Sequence, residues 1–125
     1  PIMEQNNAIY REQSRLIQEF AEKSDCVIVG RSADYILREK HPFRLFVYAE
    51  MEHKMERCKK RAPESEHFTD KELKRHILDV DKRRARYYQF FTGQTWGEKL
   101  NYDLCINTSG ANIEDLVKVI AKLVK

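Results

Sequence analysis

The stretch Cys26-Val27-Ile28-Val29-Gly30-Arg31-Ser32-Ala33-Asp34 decides the reading of this chain. Four apolar, mostly β-branched residues without polar alternation suit a strand covered on both faces, as in a parallel sheet. Glycine then lets the backbone turn tightly off the strand. The residues after it, with Ala33, Ile36 and Leu37 at helical spacing, predict a helix that stops at His41-Pro42.

The same alternation extends in both directions. Upstream, Ile9, Leu16, Ile17 and Phe20 form one stripe of a helix over about Asn6 to Lys23. Downstream, Leu45-Phe46-Val47-Tyr48-Ala49 predicts a second strand, followed by a helix with Met51, Met55 and Cys58 that ends before Pro63. Thr69-Asp70-Lys71-Glu72 has capping-box spacing and opens the longest helix, with Leu73, Ile77 and Val80 on its inner face. Leu104-Cys105-Ile106 predicts a third strand. Ile113, Leu116, Val117, Ile120, Leu123 and Val124 mark a last helix, with Glu114 and Asp115 in its first turn and Lys122 and Lys125 near its end. Strands alternating with helices predict one α/β domain over residues 1–125, with a parallel sheet of strands near 26–30, 44–49 and 103–107 between flanking helices.

Composition bounds the function. With 42% hydrophobic and 34% charged residues in 125, the chain belongs with globular proteins that bury a core. No apolar run approaches the roughly 20 residues of a membrane span, and Pro1-Ile2-Met3-Glu4-Gln5 lacks a signal-peptide layout. Three cysteines without framework spacing suit reduced thiols, so the expected compartment is cytoplasmic. The histidines His41, His53, His67 and His76 have no metal-ligand grouping. Ser109 is not in a GxSxG context, and neither zinc nor nucleophilic catalysis finds a candidate set.

The net charge of +3 is modest, but Arg57-Lys59-Lys60-Arg61 and Lys82-Arg83-Arg84-Arg86 are clumped. Such clumps suit a polyanionic partner, nucleotide phosphate before nucleic acid, or simply a solvated helix face. In parallel sheets chemistry collects beyond the C-terminal ends of the strands, which directs attention to Gly30–Asp34, Glu50-Met51 and Asn107-Thr108-Ser109. Arg31 offers a planar fork for phosphate and Asp34 an acceptor for a ribose or base edge; the alternative is a glycine turn with Arg31 paired to Asp34. Arg57 and Arg61 are four apart and could clamp one phosphate chain. Asp81 and Arg84 share a face one turn before Tyr87-Tyr88, whose rings, like Phe90-Phe91, suit packing or a contact surface between subunits better than base stacking.

Taken in order, Cys26–Leu37, Arg44–Ala49, Asp81-Lys82-Arg83-Arg84-Ala85-Arg86-Tyr87-Tyr88 with Thr92-Gly93 and Trp96-Gly97, and Asn101–Ser109 resemble the cytidylate kinase-like family of nucleoside monophosphate kinases. The resemblance implies a P-loop kinase-type three-layer fold and transfer of the γ-phosphoryl of ATP, with Mg²⁺, to a nucleoside monophosphate. It implies that Arg31 holds the acceptor, that Asp81 and Arg84 form the Asp-x-x-Arg pair facing it, and that Arg57 and Arg61 are lid arginines on the phosphates. Position 32 is serine where bacterial cytidylate kinases carry aspartate, so the neighbouring carboxylate contact is supplied by Asp34 or lost.

The family also expects a glycine-rich phosphate loop. The only glycines are Gly30, Gly93, Gly97 and Gly110, and no GxxxxGK[ST] pattern occurs. In this fold the strand leading into that loop lies between Cys26–Val29 and Leu45–Ala49, so the sheet is expected to be incomplete. The chain therefore reads as the C-terminal portion of a kinase domain, inactive alone. Two other classes stay open: a non-catalytic nucleotide or nucleic-acid binding module, and an oligomerising regulatory subunit.

Overall fold

The computed structural model describes residues 2–61 and 67–124. Helix α1 (Ile2–Lys23) leads through residues 24–32 to the short helix α2 (Ala33–Ile36) and a 3₁₀ turn (Arg38–Lys40). Strand β1 (Leu45–Tyr48) follows, then α3 (Met51–Arg61), α4 (Asp70–Thr92), a second 3₁₀ turn (Lys99–Asn101), β2 (Leu104–Asn107) and α5 (Ile113–Leu123). The result is a mixed α/β fold, mostly helical, with a small parallel sheet. The expected end of α3 before Pro63 lies outside the described residues, as does Lys125.

The strands pair in parallel, Leu45 with Leu104 through Tyr48 with Asn107. Their N-terminal ends are clamped by Asp103, whose carboxylate accepts from the Arg44 backbone N–H at 2.7 Å and faces its guanidinium at 3.4 Å. Those hydrogen bonds hold the Asp103 carboxyl below its usual range. At the C-terminal ends Thr108 takes over: its N–H donates to Tyr48 O at 2.8 Å and its hydroxyl donates to the same oxygen at 3.1 Å.

The expected strand near 26–30 is not formed. Cys26–Val29 pairs with no strand, and its backbone groups find no backbone partner among the described residues. Val27 is 94% exposed and Val29 88%. A β-branched run supplies the propensity for a strand but not the ladder, and the second half of a ladder has to come from elsewhere. Cys26, expected to be covered within its apolar run, is exposed for the same reason.

The last helix departs from expectation in a similar way. α5 forms where its pattern predicts, with Asn112 capping the Asp115 N–H at 3.1 Å. Its apolar stripe nevertheless stays open: Ile113, Val117 and Leu123 are all exposed. α1 packs on α2, α3 on α4 and β1 on β2, while α5 has no comparable neighbour.

The buried residues are few. Ile17, Ala33 and Leu37 form one cluster, joined by half-buried Ala21, Ile28 and Ile36. Leu16, Ile9 and Phe20, expected to share the α1 stripe with Ile17, are exposed. Leu73, Ile77 and Tyr88 are buried along α4. This helix also has the predicted capping box: Thr69 accepts from the Glu72 N–H at 3.2 Å, and the Glu72 carboxylate accepts from the Thr69 N–H at 3.1 Å. Gly93 closes it in the left-handed conformation (φ 72°), its N–H donating to Gln89 O.

Candidate functional site along helix α4

Helix α4 is the spine of the site. Ile77, Asp81, Arg84 and Tyr88 lie at intervals of four, three and four residues, so they share one face. Ile77 and Tyr88 are buried, while the Arg84 side chain between them is 64% exposed. The face is thus apolar and closed at one point, polar and open one turn on.

Two other segments converge on it. From α3, Lys54 Nζ meets Asp81 Oδ2 at 2.7 Å, and Arg84 approaches the other oxygen, Oδ1, at 3.5 Å. Asp81 therefore holds a cation from each side. From the opposite direction comes the turn Gly30-Arg31-Ser32, three successive residues in the left-handed region (φ 72°, 58° and 57°). Only the first is glycine, so Arg31 and Ser32 hold a backbone conformation that costs L-residues on the order of 1 kcal/mol or more each. The turn swings α2 around so that Asp34 Oδ2 accepts from the Tyr88 hydroxyl at 2.6 Å.

Tyr88 is only 4% exposed, and its hydroxyl also lies 2.8 Å from Gln94 Oε1. Gln94 is delivered there by the end of α4: Thr92 Oγ1 donates to Tyr88 O at 2.6 Å and accepts from the Gln94 N–H at 3.0 Å. Burial, followed by the hydrogen bond to Asp34 and that residue's negative charge, pushes the Tyr88 phenol far above its ordinary range. Tyr102 shares this environment. Burial is again the largest cause of its raised pKa, and its hydroxyl accepts from the Gly97 N–H at 3.2 Å.

The residues singled out by sequence divide accordingly. Asp81 and Arg84 pair on one face of α4, and Asp34 reaches that helix further along, at Tyr88. Arg31 is exposed on the strained turn and makes no ion pair with Asp34 among the described residues. Arg57 turns inward to the end of β2, donating to Thr108 Oγ1 at 2.6 Å and to the Thr108 carbonyl. Arg61, at the last turn of α3, is exposed. Ser109 accepts from the Glu50 N–H at 2.8 Å and so fixes the entry to α3.

Sequence reading missed Lys54 and the polar role of Tyr88. Lys54, Arg57 and Arg61 lie at i, i+3 and i+7, so spacing alone could have added Lys54 to the two arginines. For Tyr88 the available signal was a tyrosine within a largely aromatic run at a core-facing position, because a buried phenol requires a polar partner.

Residues 3–110 match the cytidylate kinase-like family. The chain belongs to that family. The match includes the N-terminal end of the chain, so it lends no support to the expectation that only the C-terminal portion is present. No curated protein matches the chain. A crystal structure of an uncharacterized protein from Eubacterium ventriosum ATCC 27560 is similar, with a TM-score of 0.82 and 28% identity over 93% of this chain. The chain spans 64% of the length of that protein. Family membership points to nucleotide-kinase-like function at the coarse level. No helix among the described residues is long and apolar enough to cross a membrane.

Proposed function

We propose that the intact protein transfers the γ-phosphoryl group of ATP to a nucleoside monophosphate in the cytoplasm, and that residues 1–125 supply its acceptor-binding and lid parts. The observation that carries this reading is the shared face of α4. The Asp81–Arg84 pair with a lysine from α3 lies on it, and a carboxylate from the Gly30–Asp34 turn reaches the same face at Tyr88. Phosphoryl transfer needs positioning and charge neutralisation more than covalent chemistry, and this face offers both.

Roles follow from exposure. Arg31 and Arg84 are free to turn towards the acceptor phosphate, and Arg61 is free to meet the transferring group from the lid. Arg57, tied to Thr108, holds α3 against the end of β2 and reaches phosphate only by exchanging that contact. Asp34 and Asp81 orient the acceptor side. Much of the basic run on α3 is balanced within the chain, Lys59 by Asp70 and Lys60 by Glu56, which favours this reading over a nucleic-acid-binding face.

We draw no ligands for ATP or Mg²⁺ from the described residues. No glycine-rich amide cradle with its lysine and hydroxyl exists here, and the described residues hold no cluster of metal-ligating side chains. In this proposal those groups belong to a strand and phosphate loop outside these residues, placed between Cys26–Val29 and β1. The bare Val27 and Val29 and the one-third of the similar crystal structure that this chain does not span support that arrangement.

The test is turnover in the intact protein with each of the four common ribonucleoside monophosphates. Arg31→Ala and Arg84→Ala should each lower it by roughly tenfold or more, about 1.4 kcal/mol of transition-state stabilisation. Near-native turnover in both variants would sink the assignment.

A further inference from the structure

The turn that presents Asp34 also carries a hydroxyl, that of Ser32, which is turned away from any ligand. Ser32 is 5% exposed, and its Oγ is buried without a hydrogen-bond partner. Asp34 is thus the single acidic side chain between Gly30 and Leu37, and it sits on a helix of four residues whose own hydrogen bonds do little to fix it. What fixes it comes from α4. The Tyr88 ring is buried, and the shortest hydrogen bond of its hydroxyl runs to Asp34 Oδ2 at 2.6 Å.

A carboxylate held through one oxygen by a charge-assisted hydrogen bond keeps the other oxygen at a set orientation. Oδ1 makes no hydrogen bond within the described residues, so it remains for a ligand. Gln94 Oε1, held in place through Thr92, lies 2.8 Å from the same hydroxyl as a second acceptor, and the shorter bond is the one to Asp34. Tyr88 lies one helical turn beyond Arg84, about 6 Å along the axis. The carboxylate is therefore referenced to the same rigid element that carries the phosphate-facing arginine.

We infer that Tyr88 is a positioning residue for the acceptor nucleotide: it orients Asp34 so that the free carboxylate oxygen accepts from a hydroxyl or amino donor on the nucleoside, in register with Arg84. The inference rests on the kinase reading above and adds a residue and a contact to it. Because Asp34 serves the acceptor alone, loss of the hydrogen bond that orients it should separate the two substrates. A merely structural tyrosine would affect both together.

The experiment is steady-state kinetics of the intact protein with ATP and whichever of AMP, CMP, GMP or UMP the wild type phosphorylates fastest. Tyr88→Phe keeps the ring and removes only the hydroxyl. It should raise the acceptor KM about tenfold while leaving the ATP KM within twofold and kcat within about threefold. In an Asp34→Ala background the same change should produce no further rise, since the group to be oriented is gone. An acceptor KM within twofold of wild type in Tyr88→Phe overturns the inference while leaving the kinase reading intact. So do parallel rises in both KM values, or effects that multiply in the double variant. A wild-type protein that phosphorylates none of the four overturns the kinase reading itself, and the inference falls with it.

Discussion

Helices α4 and α5 are both amphipathic and both capped by a side-chain oxygen, Thr69 on one and Asn112 on the other. They nevertheless meet opposite surroundings. The inner face of α4 closes over Leu73, Ile77 and Tyr88, and its polar turn between Ile77 and Tyr88 collects Lys54 and the Asp81–Arg84 pair. α5 has the cleaner stripe, yet Ile113, Val117 and Leu123 face solvent. An apolar stripe states that a face requires cover; it does not carry the cover with it. α4 is covered by α3 and the Asp34 turn, both within these residues. A cover for α5, like a ladder partner for Cys26–Val29, does not occur among the described residues.

The largest effect expected from this contrast concerns α5. In the intact protein Val117→Asp should destabilise by about 3 kcal/mol, because a buried valine is lost and a charge is forced into its place. In residues 1–125 alone the same change should shift stability by less than about 0.5 kcal/mol, as expected for an exposed site. Urea melts of the two proteins read the difference, and equal effects would break the comparison.

Arg84→Ala tests α4 from the functional side. It should leave stability within about 0.5 kcal/mol, since the side chain is mostly exposed and its pair with Asp81 is long, while removing roughly tenfold or more of turnover. A loss of stability matching the loss of activity would make Arg84 a structural residue.

The caps give a smaller and more local effect. Thr69→Ala should cost about 1 kcal/mol of global stability, because α4 is packed into the fold. Asn112→Ala should fray α5 without moving the global melt. Hydrogen exchange along the two helices separates local opening from global unfolding.

The smallest effect lies at the other end of the strands. The Asp103 carboxyl is held below its ordinary range by the Arg44 N–H and guanidinium, so its contribution to stability is present above the unfolded pKa, near 3.9, and is lost as pH falls through the folded value. Asp103→Asn should flatten the acid limb of the stability profile below about pH 4. Because the group is over a third exposed, the change will be small.

Much of this was legible in the sequence where the information is local. The capping box at Thr69, both paired strands and the face shared by Asp81 and Arg84 follow from spacing and residue type. The non-local features were harder. Nothing within Cys26–Val29 shows whether it will find a ladder partner. The Asp34–Tyr88 bond joins residues 54 apart, and neither residue type nor local spacing encodes that meeting. Arg57 read as a phosphate ligand because its spacing to Arg61 is right, but Thr108 waits within reach at the end of β2 and takes its guanidinium first.

The central claim is that residues 1–125 carry an acceptor site without the means to transfer a phosphoryl group. It is tested most directly by assaying the intact protein and residues 1–125 side by side, for transfer from γ-labelled ATP to AMP, CMP, GMP and UMP and for binding of the same nucleotides. The account predicts transfer to at least one of them by the intact protein. It predicts no transfer by residues 1–125, which still bind that nucleotide through a site weakened by Asp34→Ala. Transfer by residues 1–125 alone, or an intact protein that transfers to none of the four, would contradict it.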